Sequence, residues 1–145
     1  MALQLDTGDT YAFPAFADGI RRVLREWGAE RFNYLINMAG TSRSGLFCEV
    51  TEEDFDAAYR VHAKGPFFLT QTLLPLIAED GRIANISFGL MRFAYPGRIA
   101  YAAMKGAVEV MTYLHGQGTW ILSYCRQHRR AGRDPDGFLR GHGQG

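Results

Sequence analysis

The sequence predicts an α/β fold, a parallel sheet covered by helices on both faces. Three observations predict it. Short apolar runs of strand length alternate with longer stretches whose apolar residues recur every three or four positions. The order along the chain is strand, helix, strand, long helix, strand, helix. Glycine, proline and N-cap residues punctuate the junctions between them.

Leu3 to Leu5 reads as a short strand ending at Asp6. Phe13, Phe16, Ile20, Val23, Leu24 and Trp27 mark an amphipathic helix, with Pro14 in its first turn and Gly28 at its end. Tyr34 to Asn37 is a second strand, closed by Ala39-Gly40. Thr51-Glu52-Glu53-Asp54 resembles a capping box and opens the long helix. Phe55, Ala58, Tyr59 and His62 share one of its faces, and Gly65-Pro66 predicts a break or kink before Phe67 to Ile77 carries it on. Gly81 ends that connection, and Arg82 to Ser87 reads as the third strand. After the Pro96-Gly97 loop, a helix begins at Tyr101 with Met104, Val108 and Met111 on its apolar face.

Bulk composition excludes several classes. With 145 residues, 47% hydrophobic and 21% charged, the chain can build one packed core. A net charge of +1 points neither to nucleic acid nor to a membrane surface. No apolar run approaches a membrane span, and the N-terminus lacks a signal-peptide pattern. Cys48 and Cys125 are far apart and have no metal-ligand spacing around them, so a disulfide framework or metal site is not expected. The expected compartment is the cytoplasm.

The sharpest chemical feature is Tyr101-Ala102-Ala103-Met104-Lys105. Residues four apart share a helix face. An ammonium close to a phenol favours the phenolate, the form required for general acid/base work. Alone, such a pair reads more readily as the solvated face of an ordinary helix.

Its company decides between the two. Leu35-Ile36-Asn37-Met38-Ala39-Gly40 resembles the strand-ending Asn-Asn-Ala-Gly motif of the short-chain dehydrogenase/reductase family. Gly81 to Ser87 resembles the strand leading to that family's serine, and Tyr101 with Lys105 its Tyr-x-x-x-Lys motif. Val61 to Gln71 resembles the long interface helix, and Leu5-Asp6-Thr7 the strand end near the cofactor adenine. The resemblance covers residues 3 to 113.

It implies a Rossmann-type, doubly wound, three-layer αβα domain binding NAD or NADP. It implies hydride exchange with the carbon of a small alcohol or carbonyl compound. Tyr101 would exchange the proton with the substrate oxygen, and Lys105 would hold the nicotinamide ribose. Asn37, Ala39 and Gly40 would line the cofactor, and Asp6 and Thr7 would meet the adenine. The helical regions 51–77 and 101–113 would support a homo-oligomer.

The chain also departs from the family. The family serine stands thirteen residues before the tyrosine, where this chain has Phe88; Ser87 lies one position earlier and, in a regular strand, on the opposite face. Loss of such a donor costs ~10²-fold or more in rate. His62 stands where many relatives have an asparagine that supports a proton relay; a polar residue packed in the helix is the alternative reading. Met38 replaces the motif's second asparagine. The glycine-rich diphosphate loop is missing from these residues, so cofactor binding is expected to be impaired. The resemblance begins at the fold's third strand, which predicts a gap of ~14 Å before the fourth at ~4.8 Å per strand, and a damaged sheet. The expected result is an impaired oxidoreductase, with a non-catalytic interaction fragment or a pseudogene product as alternatives.

Residues 114–145 differ from the rest, with seven glycines, five arginines and no lysine. They predict an irregular tail unrelated to residues 1–113. LHGQGTW can be encoded so that reading one base later gives YMAKELG, and the remainder so that it gives SYRIAVNTVAPGAIQTDF, both family-like. The expected origin is a shifted reading frame near Thr112-Tyr113. A basic tail in which Arg126, Arg129, Arg130, Arg133 and Arg140 meet phosphates while Trp120 and Tyr124 stack on bases is the competing reading.

Overall fold

The computed structural model describes residues 1–41, 45–87 and 96–116. The predicted tail beyond residue 116 and the Phe88 position lie outside the described residues.

Asp9 accepts a hydrogen bond from the Tyr11 amide and starts a short 3₁₀ turn, Thr10–Ala12. That turn runs into α1, Phe13–Glu26, with Pro14 in the first turn where its missing N–H costs nothing. Gly28 closes the helix at φ 69°, a conformation that favours glycine. Strand β1 comes next, at Phe32–Asn37. Helix α2, Glu52–Tyr59, is capped by Thr51, whose hydroxyl accepts from the Asp54 amide at 3.1 Å. Glu52, Glu53 and Asp54 add negative charge at its positive end.

The predicted break at Gly65-Pro66 is absorbed differently. The chain passes through a π turn, Arg60–Lys64, directly into α3, Gly65–Leu73. Pro66 lacks the N–H that a continuous α-ladder would require, and the widened turn before it accommodates that loss. Helix α3 ends earlier than Ile77, because Pro75 stops it and a 3₁₀ turn fills Leu74–Leu76.

Strand β2 spans Ile77–Asn85, beginning five residues before the expected Arg82. It pairs parallel with β1, with Leu35 beside Ile83 and Asn37 beside Asn85. The register shifts between Phe32 and Tyr34, so Gly81 lies inside a bulged strand rather than at its start. A Cβ on Gly81 would meet the Asn33 carbonyl at 2.9 Å, which explains the glycine. Helix α4, Ile99–Gly116, starts two residues before Tyr101 and runs past the expected boundary at 113.

The parallel sheet of the α/β reading is present, with two strands among the described residues. The predicted strand Leu3–Leu5 does not join it. Instead Leu5 packs on the core, and Leu3 lies against Gly19 of α1. A strand needs a neighbour to satisfy its backbone, and none lies beside this segment among the described residues.

The core is formed by Phe13 and Ala17 of α1 with Leu69, Leu73 and Leu76, joined by Leu35 of β1. Asn37 and Asn85 point the same way, toward Thr70 of α3 and Thr112 of α4. All these helices therefore lie on one face of the sheet. Tyr34, Ile36 and Met38 point to the opposite face at 73%, 62% and 73% exposure. The described residues thus supply the sheet and one helical layer.

Candidate active site

The site forms where β1 and β2 end against α4. Four side chains tie these elements together. Asn37 Nδ2 donates to Asn85 Oδ1 at 2.8 Å and to Thr70 Oγ1 at 3.1 Å. Asn85 Nδ2 donates to Thr112 Oγ1 at 2.9 Å, and the Thr112 hydroxyl donates to the Val108 carbonyl. This chain of bonds holds α3, both strands and α4 in one register. It also commits the Asn37 side chain to the interior, while the Asn37 carbonyl accepts from the Ile86 amide. Sequence reasoning missed Asn85, Thr70 and Thr112. Their signal was weak: polar residues at inward positions of otherwise apolar elements, which need internal partners.

One residue beyond β2, the Ile86 carbonyl accepts a 2.6 Å bond from Lys105 Nζ. Lys105 is buried at 7% exposure, and burial lowers its pKa from the ordinary lysine value. Its nitrogen lies 5.6 Å from the centre of the Tyr101 ring. The ring of His62 meets Tyr101 edge-on, with centroids 4.9 Å apart and planes at 85°. His62 Nε2 lies 2.6 Å from the Thr41 carbonyl. Burial lowers the His62 pKa most, the Thr41 bond opposes this, and the Lys105 charge lowers it further. Tyr101, Lys105 and His62 are therefore brought together, with Gly40 packed against the imidazole.

Ser87 is placed elsewhere. Its hydroxyl donates to Glu109 Oε1 at 2.8 Å, and Glu109 stands two turns beyond Tyr101 on α4. Asp6 and Thr7 form a separate turn in which Asp6 Oδ1 accepts from the Gly8 amide at 2.8 Å. Thr7, Asn37 and Ala39 share a groove of about 220 Å³ with Leu5 and Pro66. Tyr101 and Thr41 line a different hollow of about 110 Å³, with Glu49, Asp54 and Arg98 on its walls. Among the described residues, no group of three or more His, Cys, Asp or Glu side chains is arranged to hold a metal.

These residues fit one part of a dinucleotide. The buried ammonium of Lys105 retains hydrogens beyond the one given to Ile86, suitable for ribose hydroxyls. The groove at Thr7 and Asn37 is mostly apolar, as a flat heteroaromatic ring requires. No glycine-rich turn from strand to helix is present among the described residues to hold a diphosphate.

The sequence model of the family described as enoyl-(acyl carrier protein) reductase matches residues 4–115. The 3-oxoacyl-[acyl-carrier-protein] reductase FabG of Thermotoga maritima is 32% identical over 122 residues, covering 83% of this chain and 47% of that protein. The landomycin C-6 ketoreductase LanV, solved with NADP and rabelomycin, is 34% identical with a TM-score of 0.73 over 81% of this chain and 50% of that one. A short-chain dehydrogenase from Streptomyces avermitilis is 30% identical with a TM-score of 0.71 over 83% of this chain and 43% of that one. The chain belongs to the short-chain dehydrogenase/reductase family of oxidoreductases. It spans half the length, or less, of the relatives named here.

Proposed function

We propose that this chain carries the proton-transfer side of a nicotinamide-dependent oxidoreductase site for a small alcohol or carbonyl compound, and that turnover in the chain as it stands is negligible. The single observation behind the positive half is the Lys105 ammonium, buried, bonded to the Ile86 carbonyl and close to the Tyr101 ring. In this reading Tyr101 exchanges the proton with the substrate oxygen. Lys105 orients the ribose of NAD or NADP and stabilises negative charge on the phenol oxygen. The cofactor supplies or accepts the hydride. NADP in LanV is one precedent for the cofactor in a structural relative.

The negative half rests on Ser87. Its hydroxyl is engaged by Glu109, and Phe88 occupies the position thirteen before Tyr101. A phenyl ring cannot donate a hydrogen bond to the substrate oxygen. The diphosphate also has no cradle among the described residues. Titration with NADH and NADPH tests both halves. Absence of turnover with simple carbonyl compounds is expected; micromolar fluorescence enhancement together with turnover would overturn the claim of inactivity.

A second reading, a non-catalytic module that self-associates, is favoured by one observation. Phe55, Tyr59 and Phe67 on the α2–α3 segment and Val110 and Tyr113 on α4 are all at least 44% exposed. A monodisperse oligomer with no cofactor binding would select this reading. Its proposed location is the cytoplasm; among the described residues no helix is long and apolar enough to cross a membrane.

A further inference from the structure

We propose that His62 is a positioning residue for Tyr101, a neutral imidazole that clamps the end of β1 to the first turns of α4. This role requires no turnover, so it stands or falls apart from the reading above.

Three contacts converge on one ring. Nε2 lies 2.6 Å from the Thr41 carbonyl oxygen and 3.2 Å from the Thr41 nitrogen. The carbonyl is the closer partner and two bare acceptors would repel at 2.6 Å, so Nε2 carries the proton and donates to it; the 3.2 Å bond from the Thr41 amide, which needs a bare Nε2, belongs to the other tautomer. The ring's edge rests on Tyr101. Its Cε1 occupies the space that a Cβ on Gly40 would need, 2.9 Å from that position. His62 thus touches the two residues after Ala39 and the residue that opens the Tyr-x-x-x-Lys pair. At 2% exposure it has no freedom to leave without opening the site.

The backbone beneath explains how one residue reaches all three. His62 is the middle residue of the π turn Arg60–Lys64. An extra residue in one turn rotates the next stretch of helix by about 100° around the axis, relative to an uninterrupted α-helix. The turn therefore lets α2 and α3 keep separate packing faces while His62 points between β1 and α4.

The remaining nitrogen makes the clamp conditional. Nδ1 is buried and has no hydrogen-bond partner among the described residues. A proton placed there would be a buried, unpaired donor. On α4, the element packed against this ring, Lys105 is the charge that acts on it and Tyr101 the titratable ring in contact. Protonation therefore sets two cations against each other in a buried site; burial and the Lys105 charge oppose it while the Thr41 bond favours it, so the clamp is best seated with the imidazole neutral.

Ring ¹⁵N NMR of the full chain tests the proposal. The expected result is the Nε2-protonated tautomer, a midpoint below 6.5, and Thr41 amide and Tyr101 ring shifts that track the same midpoint. His62→Gln keeps a nitrogen near the Nε2 position without titrating; His62→Phe keeps the ring without the tether. Amide exchange at Gly40 and Thr41 should rise at least about tenfold in His62→Phe, less in His62→Gln, and remain unchanged in α1 in both. A midpoint at or above 6.5, or Thr41 and Tyr101 shifts indifferent to the titration, would overturn it. The wild-type titration decides the question even where a variant fails to fold.

Discussion

Replacing Gly65 by alanine tests how the turn carrying Asp6 and Thr7 is seated. Gly65 has φ −58° and ψ −59°, ordinary helical values, so alanine introduces no backbone strain. By propensity alone the change would stabilise the helix by about 1 kcal/mol. The structure opposes this. The new methyl would overlap the Thr7 carbonyl oxygen and lie 3.1 Å from its carbon and 3.0 Å from the Arg60 carbonyl oxygen. These are backbone atoms, which cannot rotate aside as a flexible side chain would. Overpacking of this kind costs ~1–3 kcal/mol, and the upper end applies where main chain must move. The net expectation is a loss of about 1–2 kcal/mol, seen as a lower urea midpoint at constant slope. Hydrogen exchange should concentrate the disturbance at residues 6–9 and 60–66. An unchanged or higher midpoint would refute the close seating of Thr7 on the helix, and with it the shared groove that Thr7 and Asn37 line.

Three other outcomes are expected from the same geometry. Leu35→Lys should destabilise by about 1–3 kcal/mol because it sets a charge against the core on which half-buried Leu35 packs, whereas Ile36→Lys on the uncovered face should stay within about 0.5 kcal/mol; urea melts of the two compare the faces directly. His62 has a folded pKa below 6.5, so between that value and 6.5 the unfolded chain binds the additional proton. Its contribution to stability is thus intact above 6.5 and lost as pH falls through the window, a slope that denaturation at several pH values should show and His62→Gln should remove. Phe88→Ser should raise any measurable carbonyl turnover by ~10²-fold, while Ser87→Ala should leave it unchanged, because Ser87 is bonded to Glu109.

Legibility in the sequence divides along physical lines. The helices with strong periodicity and caps, Phe13 to Trp27 and the segment after Thr51, formed close to the expected places because local interactions specify them. Tyr101 and Lys105 were legible because four-residue spacing fixes a shared face. Boundaries set by tertiary pairing were less legible. Gly81 reads as a terminator, yet it lies in a bulged strand that pairs with β1. Leu3 to Leu5 has strand-like composition, but a strand needs a neighbour, and composition does not supply one. The π turn carries no simple pattern; Pro66 lies just beyond it, but a proline there reads equally as a break. The Asn37–Asn85 bond joins residues 48 positions apart, beyond any local rule.

The site stands on Lys105 as a buried ammonium, bonded at the end of β2 beside Tyr101. The chain has only two lysines, Lys64 and Lys105, so ¹³Cε titration gives two curves, and Lys105→Arg assigns them. A Lys105 midpoint below 10.5 is expected, because burial disfavours the ammonium. A Lys105 curve at or above 10.5 would contradict that placement.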